Sequence, residues 1–406
     1  MRRLIVAVCV LLTAVAVAFA VVWFVPSVQD ALIRRAMVNQ ITTTDSTAVF
    51  KDDALHILLC GTGSPIPDPK RADACTAIIA GGHVVIIDAG PGAWAKLAQA
   101  NVPPAQIDTV LLTHLHSDHV GDLGEVAQQS WIGGRQTPID IYGPPAPDAY
   151  KLPQDAEGDI FGTSGTAEVV KGFAEAYNAD AAFRVVHHDP EYMPPEGARM
   201  IGHDIPKPGA EEAVTVFDKD GLKIEAFLVS HDPAEPAYGY RMTYKGRVAV
   251  VSGDTKKVQN MVRFSKDADV LVHEALNPQM VEMLAASLDQ AGHARQAKIT
   301  RDTIDYHTSP VEAAGIADEA NVKLLVLTHI VPALPNALMR HMFLRDVKAA
   351  RGNGDIMLGR DLLMISLPPD SKEIKTTCLT DRLVVLADRQ SRCWQGGRLS
   401  LLGRAA

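Results

Sequence analysis

From residue 54 onward the chain alternates short apolar runs, each closed by Gly, Asp or His, with longer Ala-rich stretches of mixed polarity. Short apolar runs bounded by turn residues read as strands, and the longer stretches carry helical spacing. Strands are predicted over Leu55–Cys60, Thr76–Ala80, His83–Asp88, Thr109–Thr113, Ile139–Tyr142, Ile224–Ser230, Tyr238–Thr243, Val248–Ser252, Val270–His273 and Leu324–Thr328. Helices are predicted over Ala93–Ala100, Leu123–Trp131, Ala167–Tyr177, Val258–Ser265, Val311–Ala320 and Ala337–Ala350. Strands apolar on both faces need both faces covered, which puts helices outside packed sheets and predicts an α/β fold.

The start of the chain has a different pattern. Arg2 and Arg3 precede an uncharged apolar run, Leu4 to Val25, closed by Pro26. As a helix this run is ~33 Å long, enough to cross a bilayer. It continues past Ala18-Phe19-Ala20, where a signal peptide would be cut, so an uncleaved anchor is expected, with a cleaved signal as the alternative. Arg2 and Arg3 favour a cytoplasmic N-terminus and a body facing the periplasm or exterior. Arg34 and Arg35, on the other flank, argue against that orientation. The expected organisation is an anchor or signal segment over 1–26, an amphipathic Thr-rich linker over 27–53, the main domain over 54–368 and a tail over 369–406.

With 47% hydrophobic and 21% charged residues, the chain can bury a core and is not a disordered type. A net charge of −9 supplies no global basic field for a polyanion, which disfavours a dedicated nucleic-acid binder. Five cysteines are too few for a disulfide scaffold. Cys9 lies in the leading apolar run, and Cys60 and Cys75 are expected to be buried thiols. Cys378 and Cys393 frame a C-terminal stretch and either pair in an oxidising compartment or remain unrelated thiols.

The candidate chemistry centres on Thr113-His114-Leu115-His116-Ser117-Asp118-His119, directly after the apolar run Val110-Leu111-Leu112. Imidazole and carboxylate groups at this density suit borderline metals such as zinc, and four of them can be divided between two adjacent ions. Three more apolar runs end in a polar donor: Phe227 to Ser230 before His231, Val248 to Gly253 before Asp254, and Leu325 to Thr328 before His329. Any one of these alone would read as a turn or cap. His187-His188-Asp189 looks like a further cluster, but neighbouring residues on a strand face opposite ways, so it is read as pocket wall or loop polarity. His56, His83, His203, His293 and His341 have no motif context and receive no role.

These motifs resemble the metallo-β-lactamase superfamily and, within it, the ribonuclease Z-like branch. The matching segments are Gly61 to Pro65, Asp88 to Gly92, His114 to His119, Ser252 to Thr255, His273 to Ala275, His307 to Ser309 and Leu327 to His329. The resemblance implies a four-layer αββα sandwich and two divalent metal ions, zinc being the expected pair, that activate a bridging hydroxide. It also implies that His114, His116 and His231 bind one metal, that Asp118, His119 and His329 bind the other, and that Asp254 bridges them. Asp118 would orient or deprotonate the water, and His307 would protonate the leaving group. His273 and Glu274 would orient the ligands from behind.

The substrate is less defined. Ribonuclease Z enzymes cut precursor tRNA, yet residues 148–212 carry thirteen Asp/Glu against five Lys/Arg, a net of −8 that repels a phosphate backbone. An exported body would also not meet tRNA precursors. The expectation is therefore an extracytoplasmic, phosphodiesterase-like hydrolase of a small to medium ester, with membrane contact through the N-terminal segment. An alkyl or aryl sulfatase or lactonase is the alternative, followed by a true tRNA 3′-processing endoribonuclease and a non-catalytic metal-binding module. A homodimer is left open.

Overall fold

Successive side chains of a strand point to opposite faces, and in β1 (Leu55–Gly61) both faces are buried. Leu55, Ile57 and Leu59 join an apolar layer shared by two sheets, while Leu58 and Cys60 join a second layer beneath helices. The same alternation recurs in β2 (Cys75–Ala80), β3 (His83–Ile87), β4 (Ile107–Leu111) and β5 (Ile139–Gly143). Together with β6 (Met200–Asp204) these strands build most of the first sheet. The second sheet holds β7 (Ala213–Lys219), β8 (Leu222–Val229), β9 (Ala237–Tyr244), β10 (Arg247–Val251), β11 (Val270–Leu276), β12 (Leu324–Val331) and β13 (Asp355–Leu358). The chain then returns to the first sheet as β14 (Leu363–Leu367) and β15 (Lys375–Cys378).

The sheet orders are β15-β14-β1-β2-β3-β4-β5-β6 and β13-β12-β11-β10-β9-β8-β7. In this computed structural model, which describes residues 2–43, 48–147, 163–352 and 354–379, three apolar layers separate helix, sheet, sheet and helix. The expected αββα sandwich is therefore the observed fold. Strands β3 to β6 run parallel, as do β10 to β13, and parallel neighbours need crossover connections, here made by helices. The carboxyl ends of these strands, where open α/β sheets commonly place their sites, lie at one edge of the sandwich.

Residues 1–48 form a compact unit separate from Val49–Ala406. Within it, helix Arg2–Phe24 exposes its apolar side chains and is the one helix among the described residues long and apolar enough to cross a membrane. Pro26 opens a second helix, Pro26–Thr43, so much of the segment read as a linker is helical. Val49 and Phe50 already pack on the body, a few residues ahead of the expected boundary at 54.

Two sequence readings need correction. Cys60 and Cys75 are buried but joined in a disulfide, because β1 pairs antiparallel with β2 and brings them together across the hairpin. His187 and His188 end the helix Thr166–His188, not a strand, and both are exposed. Whether Cys378 pairs with Cys393, left open by the sequence, turns on Cys393, which with most of the tail lies outside the described residues. The part of the tail that is described includes β15, paired with β14.

Candidate metal centre

Each donor in the centre is delivered by a strand end. β4 runs into the loop carrying His114 and His116, and a short helical turn, Ser117–Val120, presents Asp118 and His119. His231 follows β8, and Asp254 follows β10 across the Ser252-Gly253 turn. His329 lies within β12, where the pairing with β11 passes from Thr328 to Ile330 and skips it. That irregularity, with a φ of 45° at His329, turns the imidazole out of the ladder toward the other donors.

The seven predicted donors meet in two groups, His114 with His116 and His231, and Asp118 with His119, Asp254 and His329. In the first, His116 Nδ1 lies 2.9 Å from His114 Nε2 and 3.3 Å from His231 Nε2. In the second, His329 Nε2 is 3.1 Å from Asp118 Oδ2, and His119 Nε2 is 3.4 Å from the same oxygen. Asp254 Oδ2 faces both groups, at 3.3 Å from the Nε2 atoms of His119 and His329 and 4.0 and 3.9 Å from those of His114 and His231. His116 is exposed, and the other six are buried.

Supporting groups fix how the rings point. His119 Nδ1 is 2.8 Å from Asp88 Oδ2, and Asp88 also accepts the Thr113 amide and hydroxyl. His231 Nδ1 lies 3.1 Å from the Tyr306 carbonyl, which turns Nε2 inward. Behind the loop, a Cβ on Gly90 would collide with the Asp118 carbonyl and the Ala74 nitrogen, so the Asp88-to-Gly92 turn needs glycine there. Asp88, Thr113 and the Tyr306 carbonyl had no assigned part in the sequence reading. Asp88 and Thr113 left a signal, each as the first residue of a recognised segment, and the Tyr306 carbonyl left none.

Glu274 and His273 separate. Glu274 Oε1 accepts the Thr308 amide at 2.8 Å and faces His307 Nδ1 at 3.1 Å. One His307 ring nitrogen groups with His231 and Asp254, so this histidine stands at the centre's margin. His273 falls on the same strand face as Leu271 and Ala275, in the layer under the helices, and its Nδ1 is 2.8 Å from the Glu274 carbonyl. Neither residue hydrogen-bonds one of the seven donors: Glu274 holds His307 and the Thr308 and Thr255 amides instead, so the expectation that the pair orients the metal ligands directly is corrected.

The charge states divide the same way. Burial, with neighbouring histidines, pushes His114 well below its ordinary pKa and His231 down to about 3, so both present neutral nitrogens. Burial opposes charge on His119 and His329 as well, but Asp254 and the carboxylates of Asp88 and Asp118 overcome it. His119 is held well above its usual value and His329 at about 9. Burial also works against the Asp254 carboxylate, yet His329 and His119 keep it well below the carboxylate range. Asp73, half-buried and outside the two donor groups, has its carboxyl pushed up to about 6 by burial and by Asp118.

This set fits a pair of divalent cations. The buried Nε2 of His119 faces Asp254 Oδ2 at 3.3 Å and Asp118 Oδ2 at 3.4 Å yet makes a well-aligned hydrogen bond to neither, the arrangement expected of donors that converge on a cation. Imidazole nitrogens and carboxylate oxygens are the donors that zinc and similar ions prefer.

Comparison with known proteins agrees with this geometry. Residues 83–330 match the family described as the β-lactamase superfamily domain. The ribonuclease Z of Mycolicibacterium gilvum is 33% identical over 78% of this chain and 97% of its own length. That of Mycobacterium avium is 34% identical over 78% and 100%. Among solved structures, the short form of human tRNase Z superposes with a TM-score of 0.51 at 21% identity, covering 77% of this chain and 99% of that one. A metallo-β-lactamase-fold protein of Bacillus subtilis gives 0.51 at 19% identity, with the same coverage. A sandwich edge that gathers seven such donors, on a chain matched along its body by these proteins, belongs to the metallo-β-lactamase superfamily, in its ribonuclease Z-like branch.

Proposed function

We propose that this metallo-β-lactamase-fold hydrolase is an extracytoplasmic, phosphodiesterase-like enzyme that uses two zinc ions. The observation that carries the reading is Asp254 Oδ2 facing both donor groups at once, the arrangement a two-ion centre requires. Two divalent cations, when bound, acidify a shared water and stabilise charge on the scissile group. His114, His116 and His231 would hold one, Asp118, His119 and His329 the other, with Asp254 between them.

The chain's own groups do the rest. Asp118, whose Oδ2 faces His119 and His329, would supply an acceptor oxygen to orient the attacking water. His307, tied through Nδ1 to Glu274, is oriented so that its second ring nitrogen can hand a proton to a departing alkoxide. The Glu274 carboxylate, by facing Nδ1, fixes the direction in which the ring points.

Export is supported by two separate features. The apolar helix Arg2–Phe24 follows the pattern of a membrane anchor. The Cys60–Cys75 disulfide suits an oxidising compartment. A second reading, tRNA 3′ processing, is favoured by the names of the relatives. The acidic balance of residues 148–212 opposes it.

A panel of bis-nitrophenyl phosphate, nitrophenyl phosphate, nitrophenyl sulfate, a lactone and a precursor tRNA, run with and without chelator, tests the proposal. The expected result is chelator-sensitive cleavage, fastest on the phosphodiester. Faster turnover of the sulfate or lactone would make the chain a sulfatase or lactonase. Accurate trimming of the precursor tRNA would favour the second reading. No turnover of any probe by metal-loaded protein would leave a metal-binding module. Protease accessibility of the body in intact and opened cells tests its side of the membrane.

A further inference from the structure

We propose that a cavity of about 850 Å³ beside the candidate centre binds a single-chain amphiphile with an anionic head group. Its wall is apolar, formed by Leu334, Leu344, Ile356, Met357 and Leu358. Leu334 is buried, and the strand residues are only partly so, because β13 is the edge of its sheet among the described residues. A cavity of this size with an apolar wall and a few charged groups at its mouth has the usual character of a small-ligand site.

The charged groups are mostly cationic. Lys70, Arg71, Arg340 and Arg360 stand around the cavity, with Asp68 and Asp361. The two acids are already engaged. Asp361 accepts the Thr62 amide and hydroxyl and the Ala72 amide, and pairs with Lys96 at 3.3 Å. Asp68 accepts the Lys70 amide at 2.9 Å and faces Arg71 at 3.7 Å. Lys70 forms no ion pair with any described residue. Among the described residues Arg340 reaches only the Leu334 carbonyl, at 3.4 Å. On a chain of net charge −9, a local excess of unneutralised cations around an apolar wall is selective for an anion, and the wall selects an apolar body attached to it. A bare phosphate would leave the wall wet, and a neutral lipid would leave the cations unused.

The cavity is distinct from the donor set but adjacent to it. Arg71 hydrogen-bonds the Thr62 hydroxyl and, at 2.9 Å, the Gly359 carbonyl, and the Thr62 carbonyl accepts the amide of Ile330, next to His329. None of the seven donors lines it.

The test uses the full chain in neutral micelles, irradiated with decanoate bearing a terminal diazirine, the labelled peptides being mapped by mass spectrometry. Labelling is expected between residues 334 and 361 and should be displaced by unlabelled decanoate. Arg340→Glu, an exposed position, should reduce that labelling at least tenfold, and Lys70→Glu should act in the same direction. Leu344→Trp, which fills the cavity, should abolish it while far-ultraviolet circular dichroism is retained. Equal displacement by decanol would overturn the anionic preference, and equal displacement by inorganic phosphate would overturn the apolar one. Labelling confined to residues 2–24 would remove the site altogether. The readout is binding, so its failure leaves the hydrolase reading untouched, and loss of hydrolysis leaves this site untouched.

Discussion

Asp254 Oδ2 lies 3.3 Å from His329 Nε2, although the two residues arrive on different strands, β10 and β12, with β11 between them. The same oxygen also faces His114 and His231, so removing it affects both donor groups. Asp254→Ala is expected to lower bound metal from two ions per chain to one or fewer, measured by elemental analysis after dialysis. Loss of a residue that merely orients ligands costs roughly 10–100-fold, so loss of a shared ligand should cost at least about 100-fold in activity. Two tightly held ions in this variant would refute the bridging assignment.

The two groups should load differently with pH. His114 and His231 are pushed down and are neutral near pH 7, whereas His119 and His329 are held up, His329 at about 9, and carry protons in the metal-free chain. The raised pKa values add stability to the metal-free fold that is complete below about 6.5 and lost as pH rises through about 9. Metal binding has the opposite slope, since the second group must release its protons to bind. Between pH 6.5 and 9 the thermal midpoint of metal-free protein should therefore fall while affinity for the second ion rises. Calorimetry in buffers of different ionisation enthalpy should detect proton release with the second ion and little with the first. Proton release confined to the first ion would reverse the assignment.

The sequence made the donors readable for a physical reason. Four of them fall within six positions after one apolar run, and His231 and Asp254 follow others, so the strand-end pattern alone located them. His329 was found by the same rule, but its place inside β12 was not, because a skipped position depends on pairing with β11 and leaves no mark in residue type. The disulfide was missed for a related reason: Cys60 and Cys75 look like ordinary core residues until the register of β1 on β2 is known. Strands β6, β7, β13 and β15 escaped because they are sheet edges with mixed exposure, where no continuous apolar run is needed, and the short buried run of β14 was passed over although it is apolar. The tail of the Thr166–His188 helix escaped because its alanines and exposed polar residues lack a marked apolar stripe.

The disulfide carries a stability prediction of its own. It closes a span of 15 residues, for which chain entropy gives about 3 kcal/mol. That span includes the Asp73 amide bonded to Pro91 and the Ala72 amide bonded to Asp361, both beside the Gly90 turn behind Asp118. Cys60→Ser with Cys75→Ser should lower stability by roughly 2–4 kcal/mol in urea unfolding monitored by Trp fluorescence. A midpoint unchanged between oxidised wild type and the double variant would mean that the thiols are not bridged in the protein.

The two compact units should part cleanly. Deleting residues 1–26 should remove membrane binding, but it leaves Leu32, Ile33, Met37 and Ile41 exposed on the second helix. Deleting residues 1–48 removes these as well and cuts at the boundary between the units. The longer deletion is expected to give soluble protein with unchanged metal content and kcat/KM, checked by sedimentation after cell lysis and by the ester panel. A truncated body that aggregates without metal uptake would mean that the apolar helix belongs to its core.

His307 offers the sharpest separation between holding metal and moving a proton. It stands at the margin of the centre, tied by Nδ1 to Glu274 at 3.1 Å, and a ring nitrogen groups with the His231 and Asp254 donors. A general acid matters in proportion to how poorly the leaving group departs unaided, and such groups contribute roughly 10²–10⁴-fold. His307→Ala should therefore keep both ions, slow alkyl phosphodiesters by about that factor, and slow nitrophenyl esters less than about tenfold. Glu274→Gln should reproduce part of the effect by weakening the hold on the imidazole, with the alkyl esters again the more affected. The steepened dependence of kcat/KM on leaving-group pKa is the signature to measure. Equal slowing of alkyl and nitrophenyl substrates, or loss of one ion on mutation, would make His307 a structural or ligating residue and leave the departing oxygen without its donor.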